Sequence, residues 1–171
     1  LKRKFQEASM EFRAAIDIDS DSPEAHWGLA RSYENLNQFN EAVEELRKVV
    51  ELQPANLDAK VKLGNYLLAF SPPLIDETTR FLDDIFARDP NFIEGHILKA
   101  SLYSAQGKSE AEVLEILNYA ISLQPNRTES YVSLSRFYMK AEKLREAEDA
   151  LRKGIEVNSG AAIGYIEYAR F

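Results

Sequence analysis

Pro23 to Asn56, PEAHWGLARSYENLNQFNEAVEELRKVVELQPAN, is a block of thirty-four residues that reads as two helices returning to their starting point. Leu29, Ala30 and Tyr33 share one face of the first helix, and Ala42, Leu46 and Val49 share one face of the second. Spacings of three and four place these residues as neighbours on successive turns. The stretch from Asn35 to Asn40 breaks the periodicity. Pro54 ends the second helix, because its ring and missing N–H cannot extend one.

Outward from this block the pattern recurs. Residues 57–92 repeat it with Leu63, Gly64 and Leu67, then Leu82 and Ile85, closing at Pro90. Residues 93–127 carry Ala100 and Tyr103, then Val113, Leu117 and Ala120, closing at Pro125. Residues 128–161 carry Leu134, Ser135 and Tyr138, then Ala147, Leu151 and Gly154. Residues 1–22, with Ala8, Phe12 and Ala15, match a second helix alone; residues 162–171 match a first helix alone. A period of about thirty-four residues is the signature of stacked helix pairs.

Small residues at the eighth and twentieth places, an aromatic or leucine at the eleventh and proline at the thirty-second resemble the tetratricopeptide repeat. The resemblance covers essentially the whole chain. His26 and His96 replace the family's usual tryptophan, and Lys99 stands where leucine is expected. The second unit is longer around Ser71-Pro72-Pro73-Leu74 and the third near Ser109 to Glu112, both in a turn between paired helices, where added length costs least. The resemblance implies one right-handed, all-α solenoid over residues 1–171, a superhelix of four full repeats with a partial repeat at each end.

Helices are expected at 3–18, 24–36, 40–53, 58–70, 73–88, 92–105, 109–123, 128–141 and 144–157, with a last one in 162–171. Ser22-Pro23 and Ser71-Pro72 read as a capping residue followed by proline in the first turn. Phe5, Ala8, Phe12, Ala15 and Ile16 form the expected buried face of the first helix. Ala8, Ala30, Ala42, Gly64, Ala100, Ala147 and Gly154 are expected where paired helices approach closely, since larger side chains there would overpack.

Composition narrows the function. The net charge of −7 argues against nucleic-acid binding, which needs a basic stripe to neutralise phosphates. The charge is graded: residues 23–56 hold six acidic and three basic residues, whereas 128–161 hold six of each. Lys2-Arg3-Lys4 is the one basic run and reads as a solvated helix start. No run is long and apolar enough to span a bilayer. Zero cysteines exclude disulfides, thiol catalysis and cysteine metal sites without assigning a compartment. Starting without methionine and inside a repeat, the chain reads as a piece of a longer protein.

Catalytic candidates are few. His26 and His96 fall at the same place two units apart, so a structural role is expected for both. Gly107-Lys108-Ser109 ends like a phosphate loop, but Leu102 replaces the first glycine and no strand precedes it. Glu44-Glu45 and Asp83-Asp84 point in different directions as adjacent helical residues and read as solvated. Asn126-Arg127-Thr128 matches a glycosylation sequon in an expected loop. With no nucleophile–base pair, metal cluster or cofactor motif, a non-catalytic protein is expected.

The resemblance instead implies binding along a concave wall lined by the first helix of each unit. Its places map here to Trp27, Arg31, Glu34 and Asn35, then Val61, Lys62, Asn65 and Leu68. Further along come Ile97, Leu98, Ser101 and Ser104, then Val132, Ser133, Arg136 and Met139, then Ile166, Glu167 and Arg170. Apolar groups would supply affinity, with Arg31, Lys62 and Arg136 orienting the partner. The residues of the family's chaperone-tail clamp and of its asparagine ladder are absent at the matching places. The expected function is therefore a protein- or peptide-interaction module. Alternatives are a structural spacer of a larger assembly, as in cell-envelope proteins, or an accessory region of an enzyme whose catalytic domain lies elsewhere. The bare terminal helices, with Ile163, Tyr165, Ile166, Tyr168 and Phe171, suggest end-to-end self-association.

Overall fold

The turns set the architecture. In a computed structural model that describes residues 2–70 and 72–171, ten helices and no strand are present among the described residues. They are α1 (Lys2–Ile18), α2 (Pro23–Asn35), α3 (Phe39–Leu52), α4 (Leu57–Ala69) and α5 (Ile75–Arg88). Then follow α6 (Ile93–Ala105), α7 (Glu110–Leu123), α8 (Thr128–Lys140), α9 (Leu144–Val157) and α10 (Ala162–Arg170). The fold is all-α, and every helix lies within two residues of the expected span. The widest difference is the start of α5, at Ile75 rather than residue 73. There the Leu74 N–H reaches back to the Leu67 carbonyl at 2.9 Å, so the chain is still turning at Pro73. The cap expected at Ser71 lies outside the described residues.

Three turns between paired helices close in one way. Asn37, Gly107 and Glu142 adopt left-handed backbone with φ of 60, 70 and 60°. The N–H of the following residue (Gln38, Lys108 or Lys143) bonds to the carbonyl of Tyr33, Tyr103 or Tyr138 at 2.9–3.0 Å. This is a Schellman closure, which satisfies carbonyls that a helix end leaves without a partner. Only Gly107 adopts that φ without a Cβ penalty. Helix starts are chosen as locally. Ser22 accepts from the Ala25 N–H at 3.3 Å with Pro23 in the first turn, and Asn56 accepts from Ala59 at 3.0 Å. Ser109 and Glu112 form a reciprocal capping box. Gly107-Lys108-Ser109 is thus a helix end, a turn and a helix start.

The helices gather into two units, Leu1–Ile85 and Phe86–Phe171, divided within α5. In the first, Ala30, Val43, Leu46, Leu63 and Leu67 form a buried cluster, edged by half-buried Trp27, Val50, Tyr66, Phe70 and Phe81. A second cluster joins Leu29, Tyr33 and Ala42 to Phe12 and Ile16 of α1. Leu46 is wholly buried, so truncation to alanine should cost ~2–5 kcal/mol. The tightest approach is at Gly28, where an added Cβ would lie 2.3 Å from the Phe12 ring. Ala15, expected in the buried face of α1, is exposed: α1 packs on α2, and that contact covers one side only.

In the second unit Ala100, Val113, Ile116 and Leu117 form the core, with Tyr103, Leu134 and Phe137 against it. Gly154 lies close to α8, where a Cβ would meet that of Tyr131 at 3.0 Å. Thr128 is fully buried and donates to the Gly154 carbonyl at 2.9 Å, so the threonine of the Asn126-Arg127-Thr128 sequon serves the packing of α8 on α9. Lys99, where leucine was expected, lies over the Phe86 and Tyr103 rings at 5.9 and 5.5 Å. Cation–π attraction lets it sit half-buried among aromatic groups.

Candidate functional site

The chemistry-bearing residues at the fourth place of each unit have a shared task. His26 Nε2 meets the Ser20 carbonyl at 3.0 Å, and Lys60 Nζ donates to the Pro54 carbonyl. His96 Nε2 meets the Pro90 carbonyl at 2.9 Å, and the Tyr131 hydroxyl donates to the Pro125 carbonyl at 2.8 Å. Each side chain reaches the residue six before it and so ties the turn between units to the next helix. Acids of the following helix reinforce two of these latches. Glu45 lies 2.6 Å from His26 Nδ1, and Asp84 pairs with Lys60. Glu45 and Asp84 are therefore not the solvated acids expected, although their neighbours Glu44 and Asp83 are exposed.

Both nitrogens of His26 are occupied by these contacts. The His96 ring is held between Phe86 at 4.6 Å and Tyr119 at 4.8 Å. Burial pushes its pKa down from the ordinary histidine value, with nearby Lys99 acting in the same direction. No cluster of three or more metal-ligating side chains occurs among the described residues.

The residues expected along a binding wall divide into free and engaged groups. In the first unit Trp27 is half-buried against the Leu46–Leu63 cluster, and Arg31 on the next turn is exposed. Val61 and Leu68 on α4 are half-buried, and Asn65 is exposed. Lys62, expected to face a partner, pairs with Glu34 at 2.8 Å, and the same carboxylate accepts the Tyr66 hydroxyl at 2.5 Å. Burial and that bond push the Tyr66 pKa well above its usual value.

In the second unit Ile97 and Met139 are half-buried and Ser101 is exposed, its hydroxyl donating to the Ile97 carbonyl at 3.2 Å. Leu98 corrects its expectation. It is wholly buried, in line with buried Gly95 and Leu102 on one stripe of α6, and offers no surface. Val132 is 3% exposed for the same reason, sharing a buried stripe of α8 with Thr128 and Ser135. Arg136 is engaged as well, with Glu167 at 3.1 Å; that buried carboxylate also holds Arg170 at 2.8 Å. Pairing between neighbouring helices leaves no trace in one helix's periodicity, so these engagements were not legible from spacing.

Known proteins share this pattern. Sequence profiles of the tetratricopeptide repeat match residues 2–63 and 128–160, together more than half of the chain. Over 161 residues the chain is 24% identical to human protein O-mannosyl-transferase TMTC3, covering 94% of this chain but 15% of that protein. Among solved structures, TTC0263, a thermophilic TPR protein of Thermus thermophilus, superposes with a TM-score of 0.75 at 21% identity, covering 97% of this chain and 89% of that one. YrrB, described as a TPR protein with an unusual peptide-binding site, gives a TM-score of 0.59 at 17% identity, covering 96% and 83%. Both likenesses concern the fold, an all-α solenoid of helical repeats. No helix among the described residues is long and apolar enough to cross a membrane. The chain belongs to the tetratricopeptide repeat family, whose stacked helix pairs form protein-interaction modules.

Proposed function

We propose that the chain is a non-catalytic module that holds an extended or helical segment of a protein partner on the first helices of its repeats. The observation that carries this reading is the state of Trp27. Its inner edge is fixed by the core cluster while the rest remains open, with the exposed guanidinium of Arg31 one turn away. A rigid aromatic beside an arginine is the composition of a binding hot spot, contributing on the order of 2 kcal/mol once covered. Val61 and Leu68 in the first unit, and Ile97 and Met139 in the second, add half-open apolar surface. The histidines, the usual acid–base candidates, are engaged in turn latches, which supports a binding role over a catalytic one. The peptide-binding site named for YrrB gives the reading a precedent on the same fold.

A second reading, an accessory region of a larger enzyme, is favoured by the likeness to TMTC3, of which the chain spans 15%. The two readings are compatible, since an accessory region of this fold would act by binding. Co-purification on residues 1–171 tests the wall directly, with a folded Trp27→Ala, Ile97→Glu variant as comparison. A partner captured by the parent and lost by the variant is the expected result. Capture unchanged by the variant would move binding to another face and advance the spacer reading. In that case exposed Tyr165 and Ile166 of α10, with Phe171 just after it, become the contact to test by sedimentation.

A further inference from the structure

We propose that the wall of the first unit selects a segment bearing one carboxylate beside an apolar side chain, with Arg31 receiving the carboxylate and Trp27 the apolar group. This rests on the binding reading above and goes further by specifying the partner's chemistry.

The argument starts from the accounting of charge on that wall. Lys62 is neutralised by Glu34, which also accepts from Tyr66. Arg31 is exposed, and its guanidinium has no carboxylate or ring partner among the described residues. It is therefore the uncommitted cation between α2 and α4. The neighbouring polar groups cannot take its place. Asn35 and Asn65 each spend one amide hydrogen on the Arg31 and Val61 carbonyls at 2.8 and 3.1 Å, and what remains to them is uncharged. Neutral amides suit the N–H and carbonyl groups of an extended backbone and hold a carboxylate less strongly than a guanidinium does. A second acid on the ligand would find Lys62 already paired and would meet Glu34, so one carboxylate is the number that fits.

Position adds the apolar requirement. Trp27 lies four residues before Arg31, on the same face of α2, so a ligand side chain adjacent to the bound acid falls over the indole. Because the core cluster already fixes the indole, covering it costs little ordering entropy. The chain's overall charge of −7 would draw basic segments from a distance, whereas the group beside Trp27 rewards an acidic one on contact.

Selection from a displayed library of random peptides tests this, using residues 1–171, an Arg31→Glu variant and a Trp27→Ala variant, each checked for folding by circular dichroism. The parent should enrich peptides with a single Asp or Glu next to an apolar residue. Their Glu→Gln analogues should bind about tenfold more weakly, the scale of one charge-assisted contact. Arg31→Glu should shift the enriched residue to lysine or arginine, and Trp27→Ala should remove the apolar preference. The chain has one tryptophan, so bound peptides should also alter its emission. Peptides enriched without an acid, or an acidic preference that survives Arg31→Glu, overturn the inference and leave the binding reading in place. A parent that enriches no peptide, or none that changes Trp27 emission, overturns both.

Discussion

Replacing Lys60 by methionine isolates the turn latch, because methionine keeps the apolar stem and removes only the charged donor. Lys60 is 5% exposed, its ammonium bonded to the Pro54 carbonyl and paired with Asp84. Removing one member of a fully buried pair costs ~3–5 kcal/mol, since the other charge is left stranded. Here the Asp84 side chain is 38% exposed and keeps a further contact, and the Pro54 carbonyl lies at the surface within reach of water. Relief of the lysine's own desolvation offsets more, and the expected net loss is about 2 kcal/mol. Urea denaturation followed by circular dichroism measures the total. Hydrogen exchange at the Asn56 to Ala59 amides should show the turn opening first. Lys60→Met combined with Asp84→Leu should recover little of the loss, because the Pro54 carbonyl still lacks its donor and the further contact of Asp84 is removed as well. Lys60→Tyr should recover part of it, as Tyr131 performs the same task from the same place. A Lys60→Met protein as stable as the parent would refute the latch as a stabilising contact.

Three further outcomes follow from particular side chains. Ser130 and Ser135 have buried hydroxyls without a hydrogen-bond partner among the described residues, at places where other units carry alanine or glycine; each Ser→Ala change should stabilise by ~1 kcal/mol in thermal melts. Glu142 carries the left-handed penalty that Gly107 avoids, so Glu142→Gly should raise stability by ~1 kcal/mol, read from the urea midpoint. The folded-state pKa of His96 is depressed, so below the unfolded histidine value the unfolded chain binds more protons. Stability should then fall as pH drops from ~6.5, by at most ~1.4 kcal/mol per unit from this group, and His96→Tyr should flatten that slope in melts between neutral and mildly acidic pH.

Helix positions were the most legible feature, because each rests on a local rule: three-to-four spacing, a capping residue, a proline or a turn. The start of α5 escaped because two prolines admit either a first-turn position or a longer turn, and the Leu74–Leu67 bond chooses the turn. Surface exposure was legible at Arg31 and Asn65 but not at Leu98, where the family's positional template pointed outward. The apolar stripe of Gly95, Leu98 and Leu102 carried the opposite signal and matches the burial. Lys62 and Arg136 were read as open cations because their partners, Glu34 and Glu167, lie on other helices. The latches had a visible trace that spacing alone did not explain: His26, Lys60, His96 and Tyr131 all carry a polar donor at one place in the repeat.

That place also bears on how such a repeat diverges. A main-chain carbonyl exists whatever the residue that carries it, so it asks of the opposite side chain only a hydrogen and sufficient reach. Imidazole, ammonium and phenol all qualify, and the four units use all three. Any of the three satisfies the same carbonyl, so the letters at this place can differ while the joint persists. A comparison that scores residue identity would rank the position among the least constrained in the repeat. One that scores donor capacity would rank it with the alanines of the core.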